Sequence, residues 1–287
     1  MSSVNHDTPE SFPDDSGFRI PQSAFHIPHS LFPFTIHHFA TLGSTNDHLK
    51  QLREAPEFTV ITADSQTAGR GRRDRAWHSA PGSGLYMSVL LRPRVEGEKL
   101  ALVGLLCAVA VAETLLDHTR DISIKWPNDV LLREKKICGI LIDGTSGSAE
   151  LPRLIAGIGV NLNHEAFPPE LRETATSLYL ESGGRVGAPE FRDQLLARLA
   201  VWYERLHSDH RAILRRWTAL SPYAENMPVT VTLDQEQITG ITCGVTDTGA
   251  LRVRMDNGHV RVILAGEITR LRRTNAPTPD ASKQNVR

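Results

Sequence analysis

From Ile36 onward the apolar positions of the chain fall into regular periods; before it they do not. STNDHLKQLRE opens with Ser44-Thr45-Asn46, residue types that cap helices, and sets Leu49 and Leu52 at helical spacing, so a short helix is predicted. FTVITADSQ is a β-rich run, and GLYMSVLLRP reads as a buried strand ended by Pro93. EKLALVGLLCAVAVAETLLDHT is long, apolar and rich in Ala and Leu, the pattern of a largely buried helix. ISIKW predicts a strand and PND a turn, while VLL and KICGILID predict a hairpin around Arg133-Glu134-Lys135. RLIAGIGVNLN predicts a further strand. Two helices follow at about 189–208 and 209–220, with Leu195, Leu199, Trp202 and Leu206 on one face of the first.

Beyond Pro222 the period shortens. PVTVTL, QITGITCGVT, ALRVRM, HVRVILA and EITRLR read as short strands separated by DQE, DTG, DNG and a glycine, which are hairpin signals. Their spacing suggests a small closed barrel of SH3-like type. At the other end, Pro9, Pro13, Pro21, Pro28 and Pro33 break any periodicity. The expected organisation is a disordered leader over 1–35, a main domain over 36–222, a small barrel over 223–273 and a frayed tail over 274–287. His6, His26 and His29 in the leader fit no metal-ligand spacing.

Charge narrows the function. Lys+Arg is 32 and Asp+Glu is 33, so no whole-molecule field for nucleic acid exists and anion recognition must be local. The three cysteines, Cys107, Cys138 and Cys243, form no CxxC pair, which fits a reducing cytosol and a cytoplasmic protein. No stretch approaches the ~18 apolar residues of a membrane span. A secretory signal is not expected, and Arg19 as the one basic residue besides histidine in the first 35 argues against a transit peptide.

Several familiar sites are missing. There is no GxxxxGK[ST], no HExxH and no GxSxG, and GRGRRD is not GxGxxG because position 74 is Asp. What stands out is GRGRRDRAWHS, Gly69 to Ser79, with four arginines in seven positions. Glycine lets backbone amides approach a ligand, and arginine is a rigid fork of donors for carboxylate or phosphate. Such a loop is expected to be mobile when empty and ordered by an anion. Trp77 offers a face for a ring such as adenine, or fills the core; chemistry alone leaves both open. Asn128 and Asp129 are turn formers by composition. Lys136 opens a strand, where it holds a ligand carboxylate or snorkels from the edge. Gly157 and Gly159 alternate in a strand, for close approach by a ligand or by the long helix.

In order along the chain, STN at 44–46, QTAGRGRRDRAW at 66–77, GLYMSVLLRP at 84–93, KWPNDVLL at 125–132, KKICGILID at 135–143 and GIGVNLN at 157–163 resemble the biotin–protein ligases. The resemblance spans about 36–273 and includes GALRV and GEITRLR near its end. It implies an α+β fold: a catalytic domain akin to class II aminoacyl-tRNA synthetases, followed by the SH3-like barrel. It further implies biotin contacts from Ser44, Thr45, Asn46, Gln66, Arg70, Gly71, Arg72, Lys136 and Gly139. Arg72, Arg73, Trp77, Asn128, Lys136 and Asn161 would serve the nucleotide, with Lys136, Arg70 and Arg72 catalytic. ATP, biotin and Mg²⁺ are implied, with a biotin carboxyl carrier domain as acceptor and a monomer or weak homodimer as the working unit. Two departures stand out. Asp74 follows the paired arginines where the family often has glycine, and the leader is too short for the helix-turn-helix domain of some relatives.

The implied chemistry needs no enzyme nucleophile. Arg70, Arg72 and Lys136 would neutralise two anions that must meet, and Ser44, Thr45 and Gln66 would pair the neutral ureido ring of biotin. Two competitors remain: a lipoate or octanoate ligase of the same superfamily, and a nucleic-acid-binding module using the arginine loop with Arg270, Arg272 and Arg273. Neither nucleic acid nor a membrane is expected as a partner.

Overall fold

The computed structural model describes residues 34–145, 152–233, 236–264 and 267–270. The leader before Phe34, the tail, Arg272 and Arg273, and the side chains of Asp74 and Arg270 lie outside the described residues.

The larger part of the chain is a seven-stranded mixed sheet. Its strands are β1 (Thr35–Leu42), β2 (Thr59–Gln66), β3 (Gly84–Leu91), β4 (Ile122–Lys125), β5 (Asp129–Leu132), β6 (Lys135–Thr145) and β7 (Arg153–Asn161). They lie side by side in the order β1-β2-β3-β7-β6-β5-β4. Only the β1–β2 pair is parallel; every other pair is antiparallel. Among the described residues five helices accompany them: α1 (Thr45–Gln51), α2 (Leu102–Leu116), α3 (Leu178–Ser182), α4 (Ala188–Ser208) and α5 (His210–Leu220).

Strand alternation gives the sheet two different faces. Met87, Val89 and Leu91 of β3 and Ala156, Ile158 and Val160 of β7 join the main core with α2, which α4 and α5 cover from behind. The opposite parity carries Leu90 and Ile155, which pack on Leu49 of α1, and then turns polar or empty at Ser88, Gly157 and Gly159.

Three elements differ from the expectations. Strand β1 was not anticipated, because TIHHFATL is largely exposed at the sheet edge and shows no buried apolar alternation. Helix α3 is a five-residue turn, too short for a periodic signal, capped by Ser177 onto the Leu180 N–H. The expectation that nothing approaches a membrane span also needs correction. Gly97–Leu116 is long and apolar enough to cross one, yet most of it is buried against the sheet and two helices.

The hairpin around Arg133 forms as expected. Arg133 and Glu134 take left-handed φ values of 49° and 67°, which turn β5 into β6 in two residues. One irregularity lies just beyond. Leu131 pairs with Lys136, but Val130 pairs with Cys138, so Ile137 is an extra residue, a β-bulge.

The last strands, β8 (Glu225–Leu233), β9 (Glu236–Val245), β10 (Leu251–Arg254), β11 (Val260–Ile263) and β12 (Glu267–Arg270), form an antiparallel sheet in the order β11-β10-β9-β8-β12. It is locked to the main domain at Gly249. This glycine has φ +81°, a Cβ there would stand 2.8 Å from Leu105 of α2, and its carbonyl accepts from Trp126 Nε1 at 3.1 Å.

Candidate active site

A cavity of about 480 Å³ opens on the second face of the sheet. Ser44, Thr45, Asn46, Gln66, Arg70, Gly71, Arg72, Trp77, Asn128, Lys136, Gly139 and Asn161 all line it. Residues separated by more than a hundred positions meet here because β2, β3, β7, β6 and β5 are neighbours in the sheet.

One wall is a buried polar relay. Ser44 caps α1 by accepting from the Asp47 N–H, which turns Thr45 and Asn46 inward. Gln66 Oε1 accepts from the Thr45 N–H at 2.8 Å and lies 3.2 Å from Thr45 Oγ1, while Gln66 Nε2 donates to Ser79 Oγ. Ser88 Oγ stands 2.5 Å from Asn46 Oδ1 and 2.8 Å from Thr45 Oγ1. A carboxamide oxygen only accepts, so Ser88 gives its one proton to Asn46, and the Thr45 hydroxyl donates to Ser88 or Gln66. Gly157 makes room for this relay, since a Cβ there would lie 2.3 Å from Asn46 Oδ1.

The floor is made of glycine. Trp77 lies across β6 and β7, where a Cβ on Gly159 would stand 2.5 Å from its ring and one on Gly139 2.8 Å. The paired glycines therefore face Trp77 and Asn46 rather than the long helix. Trp77 Nε1 is buried without a hydrogen-bond partner, and Lys136 Nζ sits 5.4 Å from the ring centroid.

The bulge at Ile137 decides where Lys136 points. In a regular strand Lys136 would share a face with Cys138 and Ile140, both of which are in the core. The extra residue moves Lys136 to the cavity side, beside Gly139, and its ammonium pairs with Asp129 Oδ1 at 2.6 Å. Asp129 is thus more than a turn former.

The arginine loop is a small hairpin. Arg70 and Ala76 form a bridge, the Trp77 N–H donates to Gly69 at 2.9 Å, and Arg72–Asp74 make a 3₁₀ turn. Its left-handed residue is Arg73, with φ 54°, rather than Asp74. Arg72 Nη1 donates to Asn128 Oδ1 at 3.4 Å, and Asn128 Nδ2 to the Ile140 carbonyl. Arg70 is held by carboxylates, Asp143 at 2.7 Å and Asp47 at 3.0 Å.

Two of the expected nucleotide residues make contacts elsewhere in the protein. Arg73 does not line the cavity; it is exposed, with Nη2 3.5 Å from the Thr232 carbonyl of β8. Asn161 is buried and spends its Nδ2 on the Thr176 carbonyl, so it holds the segment after β7 in place.

That segment supplies residues which no motif signalled. Phe167, Leu171, Glu173, Thr174 and Ala175 line the cavity, and Lys136 is bridged to Ala175. His164 is buried there, stacked on Phe167 with centroids 4.9 Å apart and 3.3 Å from the Tyr86 hydroxyl. Burial, helped by the charge of nearby His78 and opposed by a hydrogen bond the imidazolium would donate to the Ser83 backbone, pulls its pKa down to about 4. Burial pushes the Tyr86 phenol upward. A signal for Ser88 and Asp143 existed in the quoted strands, but which face they take depends on strand pairing.

The model of the Biotin/lipoate A/B protein ligase family matches residues 39–161, and that of the Biotin protein ligase C terminal domain matches 226–270. The bifunctional ligase/repressor BirA of Bacillus subtilis is 32% identical over 78% of this chain and 70% of its own length. The biotin–[acetyl-CoA-carboxylase] ligase of Paracoccus denitrificans is 32% identical over 80% of this chain and 98% of its own. Among solved structures, the biotin protein ligase from Aquifex aeolicus in complex with biotin and ATP aligns over 83% of this chain and 99% of its own. The TM-score is 0.73 at 31% identity.

Proposed function

The chain belongs to the biotin–protein ligase family, and on that premise we propose how it activates biotin with ATP and delivers it to one lysine of a carboxyl carrier domain. One observation carries the reading: a single cavity joins a neutral polar relay to a cationic rim, across a glycine floor roofed by Trp77. That is the polarity of biotin, whose ureido head is neutral and whose tail ends in a carboxylate.

In the first step a biotin carboxylate oxygen attacks the α-phosphorus of ATP. The bond from that phosphorus to the β-bridging oxygen breaks, giving biotinyl-5′-AMP and pyrophosphate. Two anions must approach, and Lys136 and Arg72 offset their repulsion and stabilise the charge that develops. Thr45, Asn46 and Gln66 receive the ureido N–H and C=O groups, which cannot be buried unpaired. In the second step a neutral lysine amine attacks the acyl carbon and AMP leaves as the C–O bond of the mixed anhydride breaks. Lys136 keeps the acyl oxygen polarised. The arginine loop covers the adenylate and excludes water.

The donor set does not provide a cage for Mg²⁺. Among the described residues no three His, Cys, Asp or Glu side chains could hold a metal together, and Asp129 is engaged by Lys136. Magnesium carried by nucleotide phosphates needs no protein cage, and none of the residue roles above depends on it. The unpaired thiols Cys107, Cys138 and Cys243 support a cytoplasmic setting.

The test is direct. Protein, biotin, MgATP and a carrier domain are mixed, and mass spectrometry is expected to show one biotinyl addition on one carrier lysine. Lipoate in place of biotin is expected to give no bound adenylate; the reverse preference would transfer the chain to the lipoate branch of the superfamily.

A further inference from the structure

Arg70 meets two carboxylates from different elements. Its Nη2 is 3.0 Å from Asp47 Oδ1 in the first turn of α1 and 2.7 Å from Asp143 Oδ2 on β6. The same Asp143 oxygen accepts from Asn46 Nδ2 at 3.3 Å. One carboxylate therefore touches both the arginine loop and the polar relay that ends at Thr45.

We propose that Asp143 is a positioning residue that clamps Arg70 and orients Asn46, so that Arg70 acts as a strut of the loop and not as a cation for the substrate. The inference rests on the ligase reading above. Two formal negative charges face the single charge of Arg70, so its own neighbourhood already compensates it. To reach a phosphate it would have to abandon both ion pairs and leave Asp143 with Asn46 alone. Held as it is, Arg70 instead fixes the base of the hairpin, through its bridge to Ala76, from which Arg72 projects.

The second arm of the clamp concerns recognition. With Nδ2 committed to Asp143, Asn46 must turn Oδ1 to Ser88, which sets the direction of the whole relay. Without Asp143 the carboxamide can rotate, exchange donor for acceptor, and present the wrong pattern to a ureido ring. Loss of Asp143 thus harms adenylate retention and biotin binding together, although it touches neither ligand.

A double-mutant cycle tests this. Arg70→Ala, Asp143→Ala and the double variant are compared for biotinyl-AMP dissociation, KM for biotin and thermal midpoint. Each single variant is expected to release adenylate roughly ten- to a hundredfold faster, a shift of the size of one or two lost charge-assisted contacts. Biotin KM rises in Asp143→Ala, the double variant is no worse than the poorer single, and Asp143→Glu recovers most of the loss. The thermal midpoint barely moves, because partly exposed ion pairs contribute little to global stability.

Additive losses would overturn the proposal. So would slow adenylate formation in Arg70→Ala alone with Asp143→Ala at wild-type rate, since that marks Arg70 as a direct anion contact. A fall in thermal midpoint that tracks the kinetic loss would also overturn it, leaving only a structural role. If the wild-type protein forms no adenylate from biotin and ATP, the ligase reading fails with it; if it does, only the clamp is at stake.

Discussion

Lys136 Nζ and Asp129 Oδ1 are 2.6 Å apart, facing each other across the β5–β6 ladder beneath the Trp77 ring. The pair sets the charge of the cavity before any ligand arrives. Asp129 keeps the ammonium in place and lowers the cost of holding it in a partly closed site. An incoming carboxylate then meets a lysine that is already oriented. Lys136→Ala is expected to cut biotin-dependent pyrophosphate release by a factor worth about 2–4 kcal/mol in the transition state. Circular dichroism should remain that of the wild type. Near-normal pyrophosphate release would remove Lys136 from the mechanism.

Arg72→Gly should give a leaky enzyme. Arg72 is tied to Asn128 at the cavity mouth, while Lys136 still neutralises the carboxylate. Losing one of several charge-assisted contacts weakens adenylate retention by roughly 1.5–3 kcal/mol. Released biotinyl-AMP acylates bystander lysines, so albumin added to the assay is expected to acquire scattered biotin. Labelling confined to the carrier, with unchanged adenylate dissociation, would mean that Arg72 does not retain the intermediate.

Gly159→Ala should overpack the cavity floor, because its Cβ would stand 2.5 Å from the Trp77 ring. The expected loss in urea unfolding is about 1–3 kcal/mol. Replacing Trp77 by Ala in the same chain should restore most of that loss, since the clash has then gone. If the double variant is as unstable as the two changes summed, Trp77 is not what the glycine accommodates.

His164 gives the fold a pH dependence. Its pKa is about 4 in the folded protein against 6.5 for the free side chain, chiefly because it is buried. Above pH 6.5 both states are neutral and the residue contributes nothing. Between about 6.5 and 4 the unfolded chain binds a proton that the folded one refuses, so stability falls as pH falls. The slope from this one group is at most ~1.4 kcal/mol per pH unit. Unfolding free energies measured from pH 7 to 4 should flatten in His164→Gln. An unchanged slope would assign the acid sensitivity elsewhere.

Much of the fold was legible because its signals are local. The caps and period of α1, the apolar run of α2 and the turn residues of the last sheet are properties of short windows. Strand β1 was not legible, since an exposed edge strand lacks the alternation that marks a buried face. In the site, the candidate residues carried by STN, GRGRR and KWPND line one cavity apart from Arg73, since adjacent arginines look alike until the backbone turns at φ 54°. The partners Asp129, Asp143 and Ser88 became visible only through pairing between strands distant in sequence. His164 and Phe167 belong to a segment whose position is set by Asn161 and carries no motif of its own.

The extra residue in β6 has one further consequence. Strand parity is a two-state property, and every side chain on β6 between Lys136 and the β5 turn owes its side of the sheet to a single inserted position, Ile137. Giving that position a partner, by one residue inserted opposite it in β5, would restore an unbroken ladder and leave a sequence with an equally good claim to the same topology. In it, the lysine would trade sides with apolar neighbours and the cavity would lose its Lys136 ammonium. Chain length at this hairpin is therefore as much a part of the chemistry as amino-acid identity. Substitutions are free to drift there within limits, whereas a one-codon insertion in β5 changes the machine in a single step.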